Sequence, residues 1–196
     1  MPAAVVIGLF AYFFGKYIRR FDWVLYGVSF MLACTSFFIE LGPLIEGELA
    51  LGIWLVVIFT GVIPFQHEVG KRWRAVRKEL AILGFILISP HAFYYLFVDI
   101  EFEWIGVIAY ALMVPLTVIS FTFIRRKMNP KLWKRIQQLS YLIYGLTFIH
   151  LIVVGEGEYV IPLVAYVITK LFYEFKQYQK RQARLKAKIN VSPKSN

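Results

Sequence analysis

Seven runs of apolar residues, near positions 3–15, 23–41, 49–66, 80–98, 104–124, 136–154 and 159–173, alternate with short polar connectors. Most have the roughly 20 residues an α-helix needs to cross the hydrocarbon of a bilayer. The first is short for a span. The pattern predicts an all-α integral membrane bundle. Residues 1–175 form a single transmembrane domain and residues 176–196 a basic cytoplasmic tail, and "KLFYEFKQYQKRQARLKAK" (170–188) continues the last helix into that tail.

The connectors fall into two classes. "KYIRRFD", "HEVGKRWRAVRK", "RRKMNPKLWKR" and the C-terminal tail are basic, whereas "ELGPLIEGE", "DIEFE" and "GEGE" are acidic. All 22 Lys and Arg residues lie on the first class or the adjoining helix ends. Basic connectors stay cytoplasmic. The alternation therefore predicts seven spans, with the N-terminus outside and the C-terminus inside. Eight of the twelve acidic residues (Glu40, Glu46, Glu48, Asp99, Glu101, Glu103, Glu156 and Glu158) fall on the outer class. Such a rim gathers cations, or is simply a set of solvated loops.

Composition agrees with a multi-pass protein of a cell membrane, bacterial by this reading. The chain is 59% hydrophobic and only 17% charged, with a mean hydropathy of +0.63. A soluble domain is nearer a quarter charged. The net charge of +10 is explained by topology, so no nucleic-acid partner is expected; the lipid bilayer is the partner that the charges face. The single cysteine, Cys34, permits neither an intrachain disulfide nor a CxxCH haem attachment, and is read as a small buried hydrophobe. The opening "MPAAVVIGLFAYFFG" has no basic leader, and a signal peptide is not expected.

Three histidines occur. His67 belongs to a basic connector and reads as a surface residue. His91, in "SPHAFYY", lies 14 positions beyond Arg77, and His150 lies 15 beyond Arg135. Their two helices leave basic connectors in the same direction, so both imidazoles sit about 21 Å above the inner charge layer. Two buried histidines at one depth are either separate interhelical hydrogen-bonding groups or a shared site for a metal-centred cofactor, since imidazole suits iron.

The segments that carry these histidines, "RKELAILGFILISPHAFYYL" (77–96) and "LWKRIQQLSYLIYGLTFIHLI" (132–152), resemble the third and fifth core helices of the ferric reductase-like transmembrane superfamily. Within it they resemble the haem-binding membrane subunits of bacterial methionine sulfoxide reductases. The resemblance implies a six-helix core, runs two to seven, with run one as an extra short N-terminal helix. It further implies one b-type haem with His91 and His150 as axial ligands, and electron transfer across the membrane, an oxidoreductase component's role. Two-haem members carry a second histidine about 13 residues earlier on each helix; here those positions hold Gln137 and Lys78 or Arg77. An inner haem is therefore not expected. A flavin or quinone near Gln137, Tyr141, Tyr144 and Trp133 is the expected inner carrier, although these aromatics are equally explained as interface and packing residues. Tyr94, Tyr95 and Trp104 are candidates to meet haem propionates, because no outer Lys or Arg exists. Pro90 is expected to kink its helix and re-aim His91.

No GxGxxG occurs and no soluble module follows the last helix, so electrons would come from a cytosolic flavoprotein or a quinone. The acceptor would be an extracytoplasmic reductase or a metal ion. The alternative is a haem-free membrane scaffold or assembly subunit with the same fold.

Overall fold

The computed structural model describes residues 2–39, 41–64, 67–97, 104–154 and 160–191, with side chains to 186. Eleven helices account for nearly all of them: α1 (Pro2–Arg20), α2 (Asp22–Thr35), α3 (Gly42–Ile45), α4 (Glu48–Phe59), α5 (Glu68–Ala75), α6 (Arg77–Phe97), α7 (Trp104–Ser120), α8 (Thr122–Arg125), α9 (Pro130–Gln137), α10 (Leu139–Val153) and α11 (Val160–Val191). No strand occurs among the described residues.

α4 and α6 form the centre. Every residue of α4 from Gly52 to Ile58 is buried, as expected of a helix apolar all round. α6 buries Leu80, Leu83, Gly84, Leu87 and Pro90 along one face. α1 and α3 pack on α4; α2 and α7 pack on α6; α10 packs on α7; and α11 joins through α10. α5 is tied to α1 by Trp73 Nε1, which donates to the Gly8 carbonyl at 2.9 Å.

The outward surface is apolar. Phe10, Phe13, Phe14 and Tyr17 of α1, Phe30 and Met31 of α2, and Leu171 and Phe172 of α11 are all exposed. A belt of this size faces hydrocarbon, where helices satisfy their own backbone groups. Three stretches, Pro2–Arg20, Arg77–Phe97 and Pro130–Val153, are long and apolar enough to cross a membrane. The chain is a helical membrane protein.

Several boundaries differ from the sequence reading. The N-terminal helix is not short: it runs 19 residues, through Lys16 to Arg20, because these cations end a helix without breaking it. Run two stops being helical at Thr35. There Thr35 Oγ1 bonds the Met31 carbonyl and Ser36 Oγ the Ala33 carbonyl, hydroxyl bonds that compete with the backbone ladder. α4 ends at Phe59, where Thr60 Oγ1 takes the Val57 carbonyl. At 12 residues it covers about 18 Å, less than the roughly 30 Å hydrocarbon core. Cys34 is half-buried rather than buried. α6 continues unbroken through Pro90, and Ser89 Oγ bonds the Phe85 carbonyl at 2.9 Å just beside it.

The ends of the bundle are distinct. Lys78 Nζ lies 3.1 Å from Glu79 Oε1, 3.8 Å from Asp22 Oδ2 and 3.3 Å from Thr122 Oγ1. The starts of α2, α6 and α8, each within or beside a connector of the basic class, thus meet at one end of the molecule. The C-terminal half of α6 meets α3, from the acidic class, at the other. Of the eight outer acidic residues, Glu46 and Glu48 are described; the other six lie outside the described residues.

Candidate functional site

His91 and His150 come together. Their ring centroids are 6.3 Å apart and the planes meet at 75°. α6 carries one ring and α10 the other. Both line a cavity of about 280 Å³ with Glu46, Ile88, Tyr95, Tyr110, Met113 and Thr147. The size is close to the lower bound, about 300 Å³, of ordinary small-molecule sites.

His91 is held on two sides. Its Nδ1 lies 2.8 Å from the Ile45 carbonyl oxygen. A carbonyl only accepts, so the proton of this bond sits on Nδ1. This is the arrangement that orients a metal-ligating imidazole. On the other side Tyr95, one turn along α6, packs its ring 4.9 Å from the imidazole. The carbonyl is available because α3 is a single turn, started by Pro43 at its second position and ended by Gly47 in the left-handed region at φ 77°.

The cavity wall opposite is α7. Tyr110 stacks on Phe85 at 5.3 Å and donates to Ser89 Oγ at 2.9 Å. Tyr94 packs edge-on against Tyr95, with ring centroids 5.4 Å apart. Among the described residues the lining contains no Lys or Arg. Besides the two histidines, the described polar lining residues are Glu46, Tyr95, Tyr110 and Thr147.

The inner candidates behave differently. Tyr144 is buried, takes a hydrogen bond from Arg77 at 3.2 Å, and packs edge-on against Trp54 at 6.1 Å. Tyr141 is 57% exposed, with Lys170 Nζ 5.4 Å from its ring centre. Trp133 has the Arg125 guanidinium 4.4 Å from its ring centre. Gln137 is half-buried at the end of α9, where its carbonyl accepts from Ser140. These contacts run in three directions, toward α4 and α6, toward α11 and toward α8. Sequence reasoning passed over Ile45, Gly47, Gly106, Tyr110 and Thr147. None stands out in the sequence, because each matters through a contact between elements far apart in the chain.

Comparison with known proteins gives distant relatives. The chain is 24% identical over 151 residues, 65% of its length, to the protein-methionine-sulfoxide reductase heme-binding subunit MsrQ of Rhizobium meliloti (strain 1021), covering 69% of that protein. It is 26% identical over 153 residues, 66% of its length, to magnetosome protein MamZ of Paramagnetospirillum magneticum, covering 23% of MamZ. It is 37% identical over 89 residues, 43% of its length, to an uncharacterized protein of Treponema pallidum, covering 25% of it. The chain thus spans about a quarter of the last two proteins. No family model and no solved structure matches the chain. The similarity to MsrQ and MamZ supports a distant relationship to ferric reductase-like proteins.

The residues present fit a metal-centred planar group. Two imidazoles face one cavity, and at least one has its second nitrogen tied back to a carbonyl.

Proposed function

We propose that the chain is a b-haem electron-transfer protein of the membrane, with His91 and His150 as the two axial ligands of one haem in the cavity between α6, α7 and α10. The observation that carries this reading is the 6.3 Å separation of the imidazole centroids. Taking a metal–imidazole nitrogen bond of about 2.0–2.1 Å and about 1.1 Å from nitrogen to ring centre, two imidazoles on one metal have centroids about 6.2–6.4 Å apart. The His91–Ile45 bond supports it independently, and so does the similarity to a protein named as a haem-binding subunit.

A bound haem would supply a one-electron carrier with both axial positions filled, suited to passing electrons rather than to binding substrate at iron. The chain's own residues hold and orient it. Ile45 keeps the proton on Nδ1 of His91. Tyr95 backs the ring, and the apolar lining excludes water.

On this reading the chain has seven spans with the N-terminus outside, and the cavity lies toward the outer face. The meeting of Asp22, Lys78 and Thr122 at one end and of Ile45 with His91 at the other supports that sidedness. Electrons enter from a cytosolic flavoprotein or a quinone and leave to an outer reductase or a metal ion. The test is an absorption spectrum of detergent-purified protein from haem-replete cells, oxidised and dithionite-reduced, with haem quantified as the pyridine haemochrome. One low-spin b-type haem per chain is expected. A colourless protein overturns the reading and leaves the haem-free scaffold.

A further inference from the structure

Each imidazole of the pair lies directly against a glycine of a neighbouring element. A Cβ built on Gly106, in the first turn of α7, would come within 3.0 Å of Cε1, 3.1 Å of Nδ1 and 3.3 Å of Nε2 of His150. Contacts with three atoms of one small ring mean that the imidazole rests on the α-carbon itself. A Cβ on Gly47 would stand 3.2 Å from both Cγ and Nδ1 of His91, and 3.2 Å from Ile88 Cδ1.

The two glycines do different physical work. Gly47 has φ 77°, where other residues are strained, and it terminates the turn whose Ile45 carbonyl binds His91. Gly106 is helical with no positive φ. Its backbone is one that any residue adopts, so conformation gives no reason for a glycine there. What accounts for it is the ring. Gly145, on the same helix as His150, meets nothing within 4 Å and provides the contrast.

We infer that Gly106 and Gly47 are positioning residues which seat His150 and His91 respectively and set the direction of each ring into the shared cavity. This rests on the cavity being the functional site; its haem occupancy is a separate question, and the test separates the two. A methyl group at 106 meets Cε1, Nδ1 and Nε2, so the ring must give way by a few tenths of an ångström. A methyl at 47 disturbs the ring and the Ile45 turn together.

The chain has only three histidines, so ¹⁵N-histidine NMR in detergent reads each ring without any cofactor. Wild type, Gly106→Ala, Gly47→Ala and Gly145→Ala are compared before and after haem loading. Gly106→Ala is expected to move the His150 resonances and leave His67 unmoved; Gly47→Ala moves those of His91; Gly145→Ala moves neither. In the haem-loaded samples Gly106→Ala turns most of the low-spin signal high-spin or loses the haem, whereas Gly145→Ala matches wild type. Unmoved His150 resonances in Gly106→Ala overturn the inference even if the wild type binds haem. A wild type without haem, but with the expected resonance shifts, overturns the haem reading and leaves the seats standing. If Gly106→Ala fails to accumulate, the double variant Gly106→Ala/His150→Ala decides the matter. Recovery of expression shows that the ring was the obstacle, and continued failure overturns the inference.

Discussion

The two ends of the α6–α10 pair are built from similar materials and do opposite things. At the end with His91 and His150, side chains from α6, α7, α10 and the α3 turn converge on one cavity. At the end with Arg77 and Lys78, the side chains are tied mainly to one another, beside a smaller cavity of about 200 Å³. Tyr144 is sandwiched between Arg77 and Trp54, and Lys78 is knotted to Glu79, Asp22 and Thr122. A titratable side chain in a membrane bundle thus has two fates. It can be spent on joining helices through ion pairs and hydrogen bonds, as Lys78 and Arg77 are, or stand at the wall of a cavity, as His91 and His150 do.

The sharpest way to break this comparison is at the histidines. His91→Ala and His150→Ala should each abolish the low-spin bis-imidazole spectrum completely while the purified protein keeps its helical circular dichroism. A wild-type spectrum in either variant removes that residue from the site.

Next in size is Lys78→Ala. Glu79 is 5% exposed and would lose its cation, but the Lys78 side chain is 31% exposed, so the cost falls below the about 3–5 kcal/mol of a fully buried pair. The expected result is a large fall in the detergent melting temperature with no change in the spectrum of the folded fraction. A spectral change without a stability loss would mean that the two ends are not separate.

Smaller still is Tyr144→Phe, which removes the acceptor for Arg77 but keeps the ring against Trp54. A loss of about 1 kcal/mol is expected, read from the same melts. If the variant instead alters electron uptake from a reduced flavin or quinone at unchanged stability, Tyr144 belongs to an inner carrier site and its role is not merely to join helices.

The smallest effect lies past the apolar run 159–173. Glu174 takes a bond from Lys170 at 2.9 Å, which holds its carboxyl below the ordinary value. A depressed folded-state pKa contributes stability above the ordinary carboxylate pKa and loses it as pH falls through the lowered one. The pair is exposed, so Glu174→Gln should cost only a few tenths of a kcal/mol at neutral pH. It should also remove any acid-dependent loss of α11 helicity that this pair causes, seen by circular dichroism between neutral and acid pH.

Much of the fold could be read in advance where a signal is local or periodic. The apolar runs anticipated the main helices because hydropathy acts residue by residue. The continuation of α11 through the basic tail to Val191 likewise follows from strong helix formers in sequence. Helix ends were less legible. Thr35, Ser36 and Thr60 shorten α2 and α4 through hydroxyl bonds to carbonyls three or four residues back, a choice that sequence leaves open. Pro90 does not end α6, which runs through it to Phe97.

By itself, then, the sequence determined that the chain is helical and belongs in a membrane, and it singled out His91 and His150, because composition, hydropathy and the rarity of histidine need no contacts to be visible. Only the tertiary structure decided that the two rings share a cavity 6.3 Å from centre to centre. It also decided that the Ile45 carbonyl sets the proton on His91, and that Gly47 and Gly106 lie beneath the rings. The reason is physical. A ring's direction is fixed by what stands against it, and those atoms come from α3 and α7, which touch the histidines only once the helices pack.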